Sequence, residues 1–405
     1  MAGVEYCDGM QSKKNISHHA IKNILTRDFV LGFFAQFAFS SVFFILIPTI
    51  PIYLSKLGST EAGIGVLIGA MSASSIVLRP LVGRTLLRAH EKDFMIAGAL
   101  IYTFSSIAYL VSKPFWPFLI VRILQGIGLA LFATASFTLI LRISPEARRG
   151  QSLSYFYLAI NIAFALAPSF GILLMNHFDF SIVFLVCCGF SLCSLFITMR
   201  LEKTPIDPLD ERSIQNQPFL SREALPAAIM AFMGSMIWGA VTAFFPLYAL
   251  SHGVANPGLF FAALAITLIV ARTFGGRILD MYSREKVLLP CLVAQIIAMA
   301  LLAFSRNLPM FVLVAVIWGM GNAFLYPSLI AFATDLVGSS RGPAIGTYLA
   351  LSDLGAGMGS VIMGIILQWT SYPIMFLSLA FTGAINLLYF DHAVRKKGGR
   401  RNANL

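Results

Sequence analysis

Asp353 is the residue of this chain best placed to do chemistry. The chain carries 18 acidic residues, and 17 of them fall in tails, in loops or at the ends of long apolar runs. Asp353 alone lies deep within one, about eleven residues from its nearer polar edge at about 1.5 Å per residue. An aspartate near the centre of a bilayer costs about 2.5–3.5 kcal/mol. A partner, water or protonation must offset that cost. Burial favours the neutral acid and a nearby cation favours the carboxylate. Such a group can load and release a proton as its surroundings change, or meet a cationic group of a bound molecule. The structural alternative is an aspartate hydrogen-bonded to nearby backbone or to Ser352. Arg122 is the second candidate, about six residues inside another apolar run. The bland reading is an arginine that snorkels or packs near an interface.

Other chemistries find little footing. His18, His19, His90, His177, His252 and His392 lie in tails, loops or run ends, which removes HExxH-type zinc chemistry and histidine proton relays. Cys7, Cys187, Cys188, Cys193 and Cys291 show neither metal-ligand nor disulfide spacing and read as small packing residues. Gly338-Ser-Ser340-Arg-Gly342 satisfies GxSxG, but no strand precedes it, so the nucleophile-elbow reading fails. No Walker A sequence is present. The chain is expected to be no enzyme, with no metal and no cofactor.

The elements that must position Asp353 and Arg122 are dictated by composition. Of 405 residues, 58% are hydrophobic and 12% charged, against about 25% charged in soluble domains. The bilayer is therefore the solvent for most of the chain. Runs of about 20 apolar residues place helices near 29–54, 62–86, 94–112, 116–141, 151–175, 180–200, 225–250, 257–280, 287–305, 309–335, 343–369 and 372–393. The runs are continuous rather than alternating, which excludes a β-barrel. Between them, 23 of the 29 Lys and Arg residues fall on one side. The opposite loops hold Lys56, Lys113 and Arg306, and the spans hold Arg79, Arg122 and Arg272. Positively charged loops stay cytoplasmic, so both termini are expected inside. The net charge of +11 follows from the same rule and does not imply nucleic acid. The polar N-terminal residues, with Lys13, Lys14, Lys22 and Arg27, do not read as a cleavable signal peptide.

The two halves repeat each other. Pro51-Ile-Tyr53 with Gly58 recurs 195 residues on as Pro246-Leu-Tyr248 with Gly253. Arg79 with Gly83-Arg84 recurs 193 residues on as Arg272 with Gly276-Arg277, and Gly126 and Gly128 recur as Gly319 and Gly321. Arg149-Gly150 recurs as Arg341-Gly342 at an offset of 192, which makes Asn161 the counterpart of Asp353. The expected organisation is a cytoplasmic tail at 1–28, six-helix bundles at 29–200 and 223–393, a polar linker at 201–222, and a basic cytoplasmic tail at 394–405. Parallel repeats of this kind bind substrate near the midplane, between the halves.

At this point the residues resemble the major facilitator superfamily, over nearly the whole chain from about residue 29 to 393. Arg122-Ile-Leu-Gln125-Gly126-Ile-Gly128 matches its RxxQGxG motif. Gly276-Arg277-Ile-Leu-Asp280, with Arg284 and Lys286, matches the loop motif GxxxD followed by RxK. Ala163 to Gly171, with Ala167-Pro168, resembles the GxxxGPxxG motif of the antiporter branch, with alanine at two glycine positions. The block Gly319–Gly359, with Tyr326-Pro327, Asp335, Arg341-Gly342 and Asp353, resembles bacterial efflux members. In the first half the loop motif departs from the pattern: Leu87 stands where the family has aspartate, and His90-Glu91 replace Gly-Arg.

The resemblance implies an all-α membrane protein of 12 transmembrane helices in two parallel six-helix pseudo-repeats. It implies a proton-coupling and substrate cavity, for which the candidates are Asp353, Arg122, Asn161, Gln36, Gln125, Trp238 and Tyr326. A cytoplasmic gate would involve Arg79, Gly83, Arg84, Arg272, Gly276, Arg277, Asp280 and Arg284. Gly126, Gly128, Pro168, Gly171, Gly355 and Gly359 would let helices pack closely and bend. The expected function is secondary active transport by alternating access, as proton-coupled export of a small amphipathic molecule such as a drug or metabolite. The alternatives are proton-coupled uptake of a small nutrient, or a transport-inactive sensor or scaffold. The expected partners are that small molecule, the proton and the lipid bilayer. The expected location is a prokaryotic cytoplasmic membrane, and the expected state a monomer.

Overall fold

The computed structural model describes residues 25–86, 88–145, 148–203, 221–275, 281–282, 284–335 and 341–395. Among them the chain forms twelve α-helices. These are α1 (Arg27–Lys56), α2 (Glu61–Thr85), α3 (Glu91–Ala108), α4 (Trp116–Ile143), α5 (Arg149–His177) and α6 (Phe180–Met199), then α7 (Leu225–Ser251), α8 (Gly258–Gly275), α9 (Arg284–Phe304), α10 (Leu308–Asp335), α11 (Arg341–Trp369) and α12 (Tyr372–Tyr389). A six-residue π-helix, Phe390–Arg395, follows. Ten of these helices are long and apolar enough to cross a membrane. The two others are α3, which opens on Glu91-Lys92-Asp93, and α8, whose described part is short. Most of the expected linker, residues 204–220, lies outside the described residues.

Local chemistry sets the helix ends. The hydroxyls of Thr26 and Thr60 accept the N–H groups of Phe29 (3.2 Å) and Gly63 (3.1 Å), capping α1 and α2. Gly58 and Gly253 close α1 and α7 at φ of +78° and +77°, a left-handed conformation that glycine adopts without steric cost. The closing hydrogen bonds repeat with them: Ser59 N–H to the Leu54 carbonyl, and Val254 N–H to the Ala249 carbonyl, both 3.0 Å. The 195-residue sequence repeat is thus a repeat of helix-end geometry.

Packing follows the same symmetry. In the first half α1 packs on α5 and α6, α2 on α4, and α3 on α4 and α6. In the second, α7 packs on α11 and α12, α8 on α10, and α9 on α10 and α12. Each pair recurs six helices later. The halves meet along α2 with α11 and along α5 with α8, again symmetric partners. Small residues permit the closest approaches. A Cβ at Gly126 would collide with the Met71 carbonyl of α2, while the repeat mate Gly319 faces Thr267 of α8. Gly128 faces Gly98 and Tyr102 of α3, and its mate Gly321 faces Cys291 and Ala294 of α9. Gly355 and Gly359 bring α11 against the backbone of Phe232 and Met236 on α7, and Gly171 brings α5 against Ile45 of α1.

The contact between the halves is uneven along its length. The side of the molecule where α1 and α11 begin carries most of the described Lys and Arg residues and is here termed the basic face. At the far face, α2 and α11 touch through Gly65 against Ser360, Gly69 against Gly357, and Glu61 against Gly364. Ala62 N–H donates to Gln368 Oε1 (3.3 Å), and the Ser360 hydroxyl to the Gly65 carbonyl (3.1 Å). There too the Asn176 amide donates to the Ala255 carbonyl (3.0 Å), and Gly258 lies on Pro168 and Ser169. Gly83 is 18 residues beyond Gly65, and Gly346 is 18 before Gly364. Eighteen residues are about five turns, so each lies on the same helix face as its partner. A Cβ at Gly83 or at Gly346 would nonetheless meet nothing within 4 Å. The two helices therefore touch at the far face and splay apart toward the basic face.

Candidate functional site

The wedge between the halves encloses a cavity of 230 Å³. Its wall is built by α1, α2 and α4 of the first half and by α7 and α11 of the second. Much of it is apolar, with Phe43, Leu46, Ile47, Ile50, Ile68 and Trp238. Trp238 also bridges the halves, with ring centroids 5.5 Å from Phe164 of α5 and 5.7 Å from Trp318 of α10.

Among the described residues, three charged ones line this apolar chamber: Arg79, Arg122 and Asp353. Arg79 belongs to the expected gate group at the end of α2. The structure instead turns its guanidinium into the cavity, where Nη1 stands 3.1 Å from Asp353 Oδ2 across the boundary between the halves. Nε donates to the Ser75 hydroxyl at 3.1 Å, one turn back on the same helix. Both side chains are only partly buried, at 29% and 25% exposure, although the paired Oδ2 itself is covered. Asp353 thus has the partner that its depth demands.

Arg122 is held differently. It is 6% exposed and donates Nε to the Leu67 carbonyl (2.9 Å), Nη2 to the Ile68 carbonyl (3.3 Å) and Nη1 to Gln125 Oε1 (2.7 Å). The Tyr109 hydroxyl donates to the same Gln125 oxygen at 2.6 Å. Among the described residues no carboxylate pairs with Arg122.

Of the expected cavity residues, Asp353, Arg122, Gln125 and Trp238 line this chamber, and Gln36, Asn161 and Tyr326 do not. Gln36 is buried between α1 and α4, with its amide on Ser40 (2.8 Å) and its carbonyl accepting from Ser136 (2.7 Å). Tyr326 packs inside the second half, against the cluster that includes Met230 and Leu288. Asn161 lies on α5, outside the chamber that its repeat mate lines. Among the gate candidates, Arg272 donates to the Ala323 carbonyl of α10 (3.3 Å), within its own half. Arg84 and Gly83 lie on the splayed end of α2. Gly276, Arg277 and Asp280, and the side chain of Arg284, lie outside the described residues.

Sequence reasoning missed Tyr109, Ser75 and Thr242 of this region. It also missed an ion pair where the first-half loop motif loses its aspartate. Glu91, 1% exposed at the first turn of α3, lies 2.7 Å from Arg142 at the end of α4. Arg142 also donates to the Leu86 carbonyl at 3.1 Å, tying the end of α2 to the same point. A charged residue directly at a helix N-terminus, facing a basic helix end, was the available signal.

Comparison with known proteins places these features in context. The family model described as Major Facilitator Superfamily matches residues 32–271 and 254–404. The staphylopine export protein of Staphylococcus aureus is 26% identical over 364 residues, covering 86% of this chain and 89% of that protein. The quinolone resistance protein NorA of Staphylococcus aureus is 20% identical over 335 residues, 79% of this chain and 84% of that one. Among solved structures, the nucleoside transporter NupG superposes with a TM-score of 0.74 at 17% identity, covering 90% of this chain and 98% of that one.

Proposed function

This chain belongs to the Major Facilitator Superfamily of transporters, and on that premise we propose that it works by alternating access as a proton-coupled exporter of a small amphipathic molecule. The observation that carries this reading is the Arg79–Asp353 pair, which spans the halves at the wall of their shared cavity. Protonation of Asp353 removes its charge and frees Arg79, which loosens a link between the halves. Deprotonation restores it. A proton is thereby coupled to the relative position of the two bundles. Export is supported by two similar proteins whose names describe export and drug resistance.

The basic face is taken as cytoplasmic, with both termini inside, by the bias of Lys and Arg in the loops. The wedge then faces the cytoplasm, where an exporter collects its cargo. Apolar walls around Trp238 suit an amphipathic body. A potential of 100 mV is worth about 2.3 kcal/mol per charge, so one proton per cycle supports roughly a fifty-fold gradient of a neutral substrate. The protein is taken to act as a monomer in a prokaryotic cytoplasmic membrane.

The test is proton flux in proteoliposomes holding the purified protein, against a pooled drug and metabolite library. Lumenal protons leaving as a compound enters is the expected result. Protons moving with the compound would make the protein a symporter. Absence of any compound-dependent proton flux would remove the proton-coupled reading and leave facilitated diffusion or a scaffold role.

A further inference from the structure

Among the described residues the cavity is lined by two guanidiniums and one carboxylate, and the pairing leaves one of those cations over. Arg79 is matched by Asp353. Arg122 lines the same cavity, is 6% exposed, and has only neutral partners among the described residues. Three of its five N–H donors are used in those bonds. The carbonyls of Leu67 and Ile68 orient the guanidinium but do not neutralise it. A buried charge without a counter-charge is costly, and a bound anion would lower that cost. The two arginine heads are also well separated. Arg122 is held at Leu67 and Ile68 and Arg79 at Ser75 of the same helix. That spacing is about 10 Å along α2 at 1.5 Å per residue. One small anionic group therefore engages one head and not both.

We infer that the transported molecule carries a carboxylate, and that Arg122 is its anchor, while the Arg79–Asp353 pair is left to the proton. The inference rests on the exporter reading above and names the class of its substrate. A planar carboxylate matches the two-pronged donor geometry of a guanidinium, and a single negative charge balances the single cation. The rest of the molecule lies against Trp238 and the apolar residues of α1. Exchange of one proton for one such monoanion moves two charges in the same electrical sense. A membrane potential, negative inside, then drives export together with the pH gradient.

The experiment uses a panel of small aromatic acids such as 4-phenylbutyrate, each with its primary amide and its amine analogue. Binding to the purified full-length protein is read by tryptophan fluorescence or calorimetry, independently of transport. The acid is expected to bind at least about ten-fold more tightly than its amide, the scale of a charge-assisted hydrogen bond. Arg122→Gln should abolish that preference, bringing acid and amide to equal affinity in the variant. Asp353→Asn should retain it. Equal or weaker binding of the acids overturns the inference, and flux of the amides would then still uphold the exporter. A preference that survives Arg122→Gln moves the anchor elsewhere and also overturns it. Absence of binding by every acid in the panel counts against it directly, whether or not Arg122→Gln folds.

Discussion

At the scale of single residues, the chamber depends on how each charge is satisfied. Arg122 reaches two carbonyls of α2 and a side chain of α4 at once, which needs a planar fork of donors. Arg122→Lys keeps the charge and loses the fork. The expected outcome is a protein destabilised by about 2 kcal/mol, the worth of a hydrogen bond or two to a charged group, seen as a lower thermal midpoint. An unchanged midpoint would show that charge alone suffices there. Asp353 was legible in the sequence because a lone acid in an apolar run has no bland surroundings to hide in. Its partner was not legible. Arg79 reads as one more basic residue near a helix end, and only the approach of α2 to α11 turns it inward. The partner of Gln36 was not legible either, since the Ser136 that donates to it lies 100 residues away on a different helix.

At the scale of elements, hydropathy placed the helices, and the glycines marked places of close packing without saying which helices meet there. What the sequence could not convey is that α2 and α11 diverge. Gly65 and Gly83 lie on one face, yet only Gly65 is in contact. In an alternating transporter the splayed ends must close when the far face opens. A double variant, Gly83→Cys with Gly346→Cys, should therefore stay reduced in the resting state. It should cross-link during turnover, when the Cα atoms come within the roughly 4.4–6.8 Å that a disulfide spans, and transport should stop as it does. Equal cross-linking with and without substrate and a proton gradient would contradict the wedge. The Glu91–Arg142 pair belongs to this scale too, since it joins the ends of α2, α3 and α4 into one rigid corner. Glu91→Gln leaves Arg142 without its counter-charge and should destabilise the first half, lowering the thermal midpoint more than an exposed pair such as Lys203–Asp93 would.

At the scale of the whole molecule, the repeat was readable because it fixes backbone geometry. The glycines at 58 and 253 share a conformation and a capping bond. The repeat is not carried through to the chemistry. Asp353 has Asn161 as its mate, and Arg272 stays within its own half while Arg79 crosses. A symmetric frame thus carries an asymmetric charge set: the 192-residue offset already sets Asn161 against Asp353, but not that Arg79 crosses between the halves while Arg272 does not. Sidedness is checked on a cysteine-free background. Lys113→Cys and Arg306→Cys should react with an impermeant thiol reagent from outside intact cells, and His90→Cys only after permeabilisation. The most direct test of the central claim compares two assays of Asp353→Asn in proteoliposomes. Substrate exchange between equal pH values should persist, while uptake driven by a pH gradient should fall to background. Full gradient-driven transport by the variant would show that the proton does not travel through Asp353, and would contradict the account.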